Sequence, residues 1–157
     1  MRHAGKRLAG GRVIISTPEN FRPPVHEWNQ KKGEYLLTYD YVFVWANGRK
    51  KLTVPAGYNY DKASVPWWAR GVARPDGPWD AASLFHDRLY QYRGKLPKGE
   101  YQVRIGDTWY DDPSPWTRKQ ADEFLEYVGI LGGEVPWKAK LYKWAVKVYP
   151  VNWFKSF

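Results

Sequence analysis

The chain has 157 residues, no cysteine and a formal net charge of +9, a length that suits one domain with a hydrophobic core. The lack of cysteine excludes disulfides, thiolate metal ligands and a cysteine nucleophile, so only histidine and carboxylate side chains remain as protein metal ligands of the usual kinds. No apolar run approaches the roughly 18 residues of a transmembrane helix. The first residues also lack the apolar segment of a signal peptide, so we expect synthesis in the cytoplasm.

The excess positive charge lies at the two ends of the chain. Residues 1–12 contain four basic residues and no acid, residues 137–157 contain five lysines and no acid, and the charges between them balance. We expect residues 1–10 to form a flexible basic arm and residues 11–157 to form a single domain. Such ends suit anionic partners, and they are equally typical of a surface that serves solubility.

The first half of the chain predicts β-structure. Residues 34–45 are rich in β-branched and aromatic side chains, Asn47-Gly48 favours a tight turn, and residues 50–55 return as a second strand. This pattern predicts a β-hairpin within an antiparallel sheet. Residues 94–109 predict a loop that could contain one strand, at 100–105.

The second half predicts three helices, near residues 79–92, 117–130 and 136–149. Thr117 and Gln120 have the spacing of a capping box at the start of the second helix. The third helix is expected to bury Trp137, Leu141, Trp144 and Val148 and to carry Lys140, Lys143 and Lys147 on one flank. The predicted fold class is α+β, with an N-terminal antiparallel sheet followed by a three-helix C-terminal half.

The candidate catalytic residues are His86, Tyr90 and Asp122. Helical spacing points His86 inward on the first helix and places Asp122 at the inner border of the second. If these helices pack together, Asp122 can bond one ring nitrogen of His86 and leave the other free as a general base. Tyr90, one turn past His86, can donate its hydroxyl to the same carboxylate. The alternative is a buried network with a structural role.

Two further groups of residues are candidates for binding. Asp87 and Asp61 could hold a hard cation such as Ca²⁺ or Mg²⁺, whereas direct ligation by His86 would favour Zn²⁺. The residues expected to contact the envelope or another anionic surface are Lys140, Lys143, Lys147, Trp67 and Trp68.

Several motifs resemble one family in the right order, at residues 54–58, 61–66, 85–90, 118–124 and 141–146. Over roughly residues 34–149 the chain resembles the bacterial and tailed-phage family called domain of unknown function 1353. That resemblance implies a phage or prophage origin and no specific activity.

The pattern His86-Asp87-x-x-Tyr90, together with Asp122, is also similar to the catalytic helices of phospholipase A2. In that family the histidine is the base, the adjacent aspartate binds calcium, and an aspartate on the antiparallel helix orients the histidine. This chain has neither the disulfides nor the glycine-rich calcium loop of that family.

Two functions are therefore expected. One is a phage-encoded, metal-assisted hydrolase that acts on a phospholipid ester or on peptidoglycan, with His86 as general base. The other is a non-catalytic virion or tail component, in which the polar cluster is structural and the partners are other phage proteins. Sequence-specific nucleic-acid binding is not expected, because no recognised module is present. We expect synthesis in the host cytoplasm and, for the second function, association with the virion.

Overall fold

The computed structural model describes residues 11–60 and 79–148. The chain divides into two compact units, which comprise residues 1–61 with 97–112 and residues 62–96 with 113–157. Strands occupy the first unit and helices the second, so the predicted α+β class is confirmed. The predicted arm at residues 1–10 lies outside the described residues, and the single-domain assignment stays a prediction.

The first unit contains a five-stranded sheet of order β1-β4-β5-β7-β8 and a three-stranded sheet of order β2-β3-β6. Its strands are β1 (Val13–Ser16), β2 (His26–Asn29), β3 (Glu34–Leu37), β4 (Asp40–Trp45), β5 (Lys50–Val54), β6 (Asn59–Tyr60), β7 (Tyr101–Ile105) and β8 (Thr108–Asp111). All pairs are antiparallel except β1 with β4, which is parallel. The predicted antiparallel sheet is therefore present, and the parallel pairing of β1 with β4 is an addition to it.

The hairpin around Asn47-Gly48 is formed by β4 and β5, with Trp45 opposite Lys50. Ala46, Asn47 and Gly48 have φ values of 55°, 54° and 75°. This left-handed backbone explains why Asn and Gly occupy the turn, since both residues tolerate positive φ.

The single strand expected over residues 34–45 is two strands in different sheets. The backbone N–H of Thr38 donates to the Val25 carbonyl, whereas that of Asp40 donates to the Arg12 carbonyl. The chain therefore changes hydrogen-bond partners between β3 and β4, although its composition is continuous there. A second difference is β8, which forms a hairpin with β7 in the region where a loop was expected.

The second unit contains α1 (Asp80–Gln91), α2 (Arg118–Leu131) and α3 (Pro136–Val148), with α2 packed against both α1 and α3. The capping box is confirmed, because the Gln120 N–H donates to Thr117 Oγ1 and the Thr117 N–H donates to Gln120 Oε1. The fully buried apolar residues of these helices include Leu84, Phe85, Leu89, Ala121, Leu125, Val128, Ala139 and Ala145.

The predicted buried face of α3 is wrong. Trp137 and Trp144 are 62% and 53% exposed, while Ala139, Tyr142 and Ala145 are buried. Leu141 is half-buried, and the side chain of Val148 is outside the described part. The ring of Tyr142 stacks on Trp79, with centroids 4.3 Å apart, and the two alanines allow the helix to approach closely on this side. At 3.6 residues per turn, the observed buried face lies about 130° around the helix from the face that was predicted to be buried. Packing against Trp79 accounts for this difference.

Candidate active site

Helices α1 and α2 bring the three candidate catalytic side chains together. Phe85 of α1 and Phe124 of α2 contact each other in the core, with ring centroids 5.6 Å apart. This packing fixes the two helices at a distance where polar side chains at the border of each apolar stripe can bond directly.

His86, Tyr90 and Asp122 form a hydrogen-bonded cluster. His86 Nε2 lies 3.0 Å from Asp122 Oδ1, and the Tyr90 hydroxyl donates to the same oxygen at 2.5 Å. The rings of His86 and Tyr90 are also in contact, with centroids 4.0 Å apart. The predicted hydrogen bond between His86 and Asp122 is therefore present.

Arg118 is a fourth member of this cluster, which the sequence did not assign to the site. Its Nε lies 3.8 Å from Asp122 Oδ2, one helical turn further along α2. Its Nη2 donates to the carbonyl oxygen of Lys147 at 3.0 Å. Arg118 thus links the carboxylate to the C-terminal turn of α3. The sequence could have indicated this contact, because Arg118 and Asp122 are four residues apart and residues at i and i+4 on a helix are neighbours.

Burial keeps the imidazole of His86 neutral. The side chain is 6% exposed, and burial lowers the pKa of His86 below its usual value of 6.5, although the hydrogen bond to Asp122 opposes this effect. Loss of hydration outweighs the attraction of the carboxylate because the charged form is strongly disfavoured in an apolar interior. A neutral imidazole is the form in which histidine can act as a base.

The hydroxyl of Tyr90 remains a proton donor to Asp122. Burial raises the pKa of Tyr90, and the hydrogen bond to the carboxylate raises it further. Asp122 itself is 6% exposed, so its charge depends on these donors for compensation. The carboxylate accordingly orients His86 through Nε2. No residue within 11–60 and 79–148 forms a hydrogen bond with the other ring nitrogen, Nδ1.

The predicted metal site is not assembled from the described residues. Asp87 is half-buried. Burial raises the pKa of Tyr142 on α3, and the negative charge of Asp87 raises it further, so the carboxylate of Asp87 interacts electrostatically with α3. Across residues 11–60 and 79–148, no three His, Asp or Glu side chains are grouped so that they could hold a metal ion. Asp61 lies outside these residues, and a cation between Asp61 and Asp87 therefore stays a prediction.

The residues predicted to bind an anionic surface are only partly described. Trp67 and Trp68 lie outside the described part. Lys140 and Lys147 are exposed on α3, whereas Lys143 is half-buried and forms an ion pair with Glu126 of α2. The lysine stripe is thus present, but one of its members also joins two helices.

A surface pocket of about 320 Å³ adjoins the cluster and was not predicted. It is lined by Arg118, Lys119, Asp122, Glu123, Lys143 and Lys147. Helical spacing could have predicted that the four lining residues of α2 lie together. The contribution of Lys143 and Lys147 depends on the packing of α3 against α2, which spacing does not show.

Comparison with known proteins gives one result. The family described as "Protein of unknown function (DUF1353)" matches residues 35–146, which is more than half of the chain and includes the whole cluster. No curated protein and no solved structure matches the chain. In the part of the chain that is described, no helix has the length and apolar character needed to cross a membrane.

Proposed function

The chain belongs to the DUF1353 family, whose description names no activity, and we propose from its helical cluster that it is a hydrolase in which His86 acts as general base. The observation that supports this proposal is the double hydrogen bond to Asp122 Oδ1, from His86 at 3.0 Å and from Tyr90 at 2.5 Å. A buried carboxylate that bonds one imidazole nitrogen fixes the ring and its tautomer, which leaves the second nitrogen for proton transfer.

In the proposed reaction, Nδ1 of His86 removes a proton from a water molecule as the water oxygen attacks a carbonyl carbon. The bond from that carbon to the leaving oxygen or nitrogen then breaks, and the imidazolium returns the proton to the leaving group. The products are a carboxylic acid and an alcohol or amine. Asp122 stabilises the transient imidazolium, while Tyr90 and Arg118 hold Asp122 in place.

The proposed target is the bacterial cell envelope, and the proposed origin is a phage or prophage. A phospholipid ester and a peptidoglycan amide both contain the required carbonyl carbon, and the exposed lysines of α3 suit anionic envelope polymers. Ca²⁺, Mg²⁺ or Zn²⁺ could assist by polarising the carbonyl. The described residues offer only Asp87 of the two predicted ligands, so no step is assigned to a metal.

The burial of the cluster favours a second candidate function, a structural component of the virion or tail. His86 and Asp122 are each only 6% exposed, and a base must be able to approach its substrate. In this alternative the cluster is a satisfied polar network that fixes α1 against α2.

One assay separates the two functions. Purified protein is incubated with phospholipid vesicles and with purified peptidoglycan, with and without each of the three metal ions, and product release is measured. We expect release from one substrate and a loss of about 10²-fold or more in His86→Ala. His26→Ala is the matched control, because His26 also bonds a tyrosine, Tyr60, at 3.1 Å in the other unit. A wild type that is inert on both substrates, together with a His86→Ala variant that is merely less stable, would favour the structural function.

A further inference from the structure

Helix α3 has one apolar face that is buried in the second unit and a second apolar face whose tryptophans are more than half exposed. Ala139, Tyr142 and Ala145 form the buried face. Trp137 and Trp144, which are 62% and 53% exposed, lie on the outer face. The spacing of seven residues places the two tryptophans on the same side, almost two full turns apart. The largest apolar side chains of the helix therefore face outward.

Positive charge flanks this outer face. Lys140 and Lys147 are exposed and lie beside the two tryptophans around the helix. The helix contains four lysines and no acidic residue, and no acid occurs from residue 135 to the end of the sequence. The ammonium group of Lys138 also lies over the Trp137 ring, 5.7 Å from its centroid. Exposed indole rings and ammonium groups are thus combined on one side of one helix.

We propose that this outer face of α3 docks on an anionic lipid surface, with Trp137 and Trp144 at the level of the headgroups. Indole rings favour the interface between hydrocarbon and water because they are apolar and carry one polar N–H. Lysines beside them attract anionic headgroups, and this combination is typical of helices that lie in the plane of a membrane. A second copy of the same face would bring lysines against lysines, which opposes self-association.

The proposed surface is connected to the site on α2. Arg118 contacts Asp122 and donates to the Lys147 carbonyl in the last turn of α3. A bilayer bound along α3 would therefore lie close to the pocket beside Asp122. This inference deepens the proposed hydrolase by naming anionic phospholipid as its substrate class, and that part of it rests on the proposed function. The docking itself can be measured without catalysis.

The test is flotation of the full chain with vesicles of phosphatidylcholine and phosphatidylglycerol, compared with vesicles of phosphatidylcholine alone. We expect binding to the anionic vesicles only, and weaker binding as salt screens the lysines. Trp137→Ser with Trp144→Ser should lower the affinity by about tenfold or more. Lys140→Gln with Lys147→Gln should lower it to a similar extent.

The control variant is Trp28→Ser, because Trp28 is also 53% exposed but lies on β2 in the other unit. It should bind as well as the wild type, and so should His86→Ala. Thermal unfolding verifies that each variant is folded.

The proposal is overturned if the wild type binds no anionic vesicles, or if the double tryptophan variant binds them equally well. It is also overturned if ultracentrifugation shows a dimer that only this variant abolishes. Vesicle binding without phospholipid hydrolysis would uphold the docking and refute anionic phospholipid as the substrate class, whereas the enzyme itself is refuted only if peptidoglycan is not hydrolysed either.

Discussion

His86 on α1 and Asp122 on α2 are 36 residues apart in the sequence and 3.0 Å apart between Nε2 and Oδ1. Because an ionised carboxylate can only accept hydrogen bonds, the neutral imidazole must carry its proton on Nε2. Nδ1 is then unprotonated, with the lone pair that a general base requires. Asp122 therefore selects the tautomer on which the proposed chemistry depends.

Asp122→Asn should disturb the tautomer more than the position of His86. An amide can donate as well as accept, so it no longer requires a proton on Nε2, and we expect hydrolysis to fall by about 10²-fold or more while the fold persists. Nitrogen NMR of the His86 ring measures the tautomer directly. Asp107→Asn makes the same exchange at a fully exposed position between β7 and β8 and should change neither property. An unaltered tautomer in Asp122→Asn would contradict the assignment.

Tyr90→Phe should destabilise the protein modestly. The variant removes one donor from a buried carboxylate, which we expect to lower the free energy of unfolding by about 1 to 3 kcal/mol. Hydrolysis should fall less than in His86→Ala, because the bond from His86 to Asp122 remains. Tyr110→Phe serves as the control, since Tyr110 is exposed on β8. Urea unfolding of both variants measures the difference, and equal stability would show that Tyr90 adds nothing to the cluster.

The low pKa of His86 predicts a pH-dependent stability. Burial holds this pKa below 6.5 in the folded state, so the unfolded chain takes up a proton that the folded chain does not. The contribution is fully present above pH 6.5 and is lost as the pH falls below it, with a slope of at most about 1.4 kcal/mol per pH unit. Urea unfolding at pH 7.5, 6.5 and 5.5 should show a shallower decline for His86→Gln than for the wild type. Parallel declines would mean that His86 titrates normally.

The cluster was predictable because helical periodicity is local. The spacing of apolar residues on two helices was enough to place His86, Tyr90 and Asp122 at facing borders. The capping box at Thr117 is equally local, since both of its hydrogen bonds join residues three positions apart. Gly106-Asp107 is a turn signal of the same kind. It would have indicated the hairpin of β7 and β8, because Gly106 has a φ of 62°.

The remaining differences depend on partners that are distant in the sequence. Nothing local in residues 34–45 indicates that β3 pairs with β2 and β6 while β4 pairs with β1 and β5. The face of α3 was assigned by side-chain size, which normally identifies the buried stripe. In this protein the buried ring of Trp79 stacks on Tyr142 of α3. The side of α3 that carries Tyr142 and two alanines is therefore buried, and the side with the larger tryptophans is not.

Gly129→Ala should destabilise the protein, contrary to the usual effect of this substitution within a helix. Alanine is normally favoured over glycine by about 1 kcal/mol at such positions, but a Cβ on Gly129 would lie 2.4 Å from Cζ3 of Trp79. The indole cannot easily move, because it stacks on Tyr142 and its Nε1 donates to Glu134 at 2.8 Å. We therefore expect the free energy of unfolding to fall by about 1 to 3 kcal/mol, measured by urea denaturation.

Gly11→Ala, where a Cβ meets no atom within 4 Å, should have little effect. A stabilised Gly129→Ala variant would show that Trp79 does not occupy this position and that the outward face of α3 needs another cause.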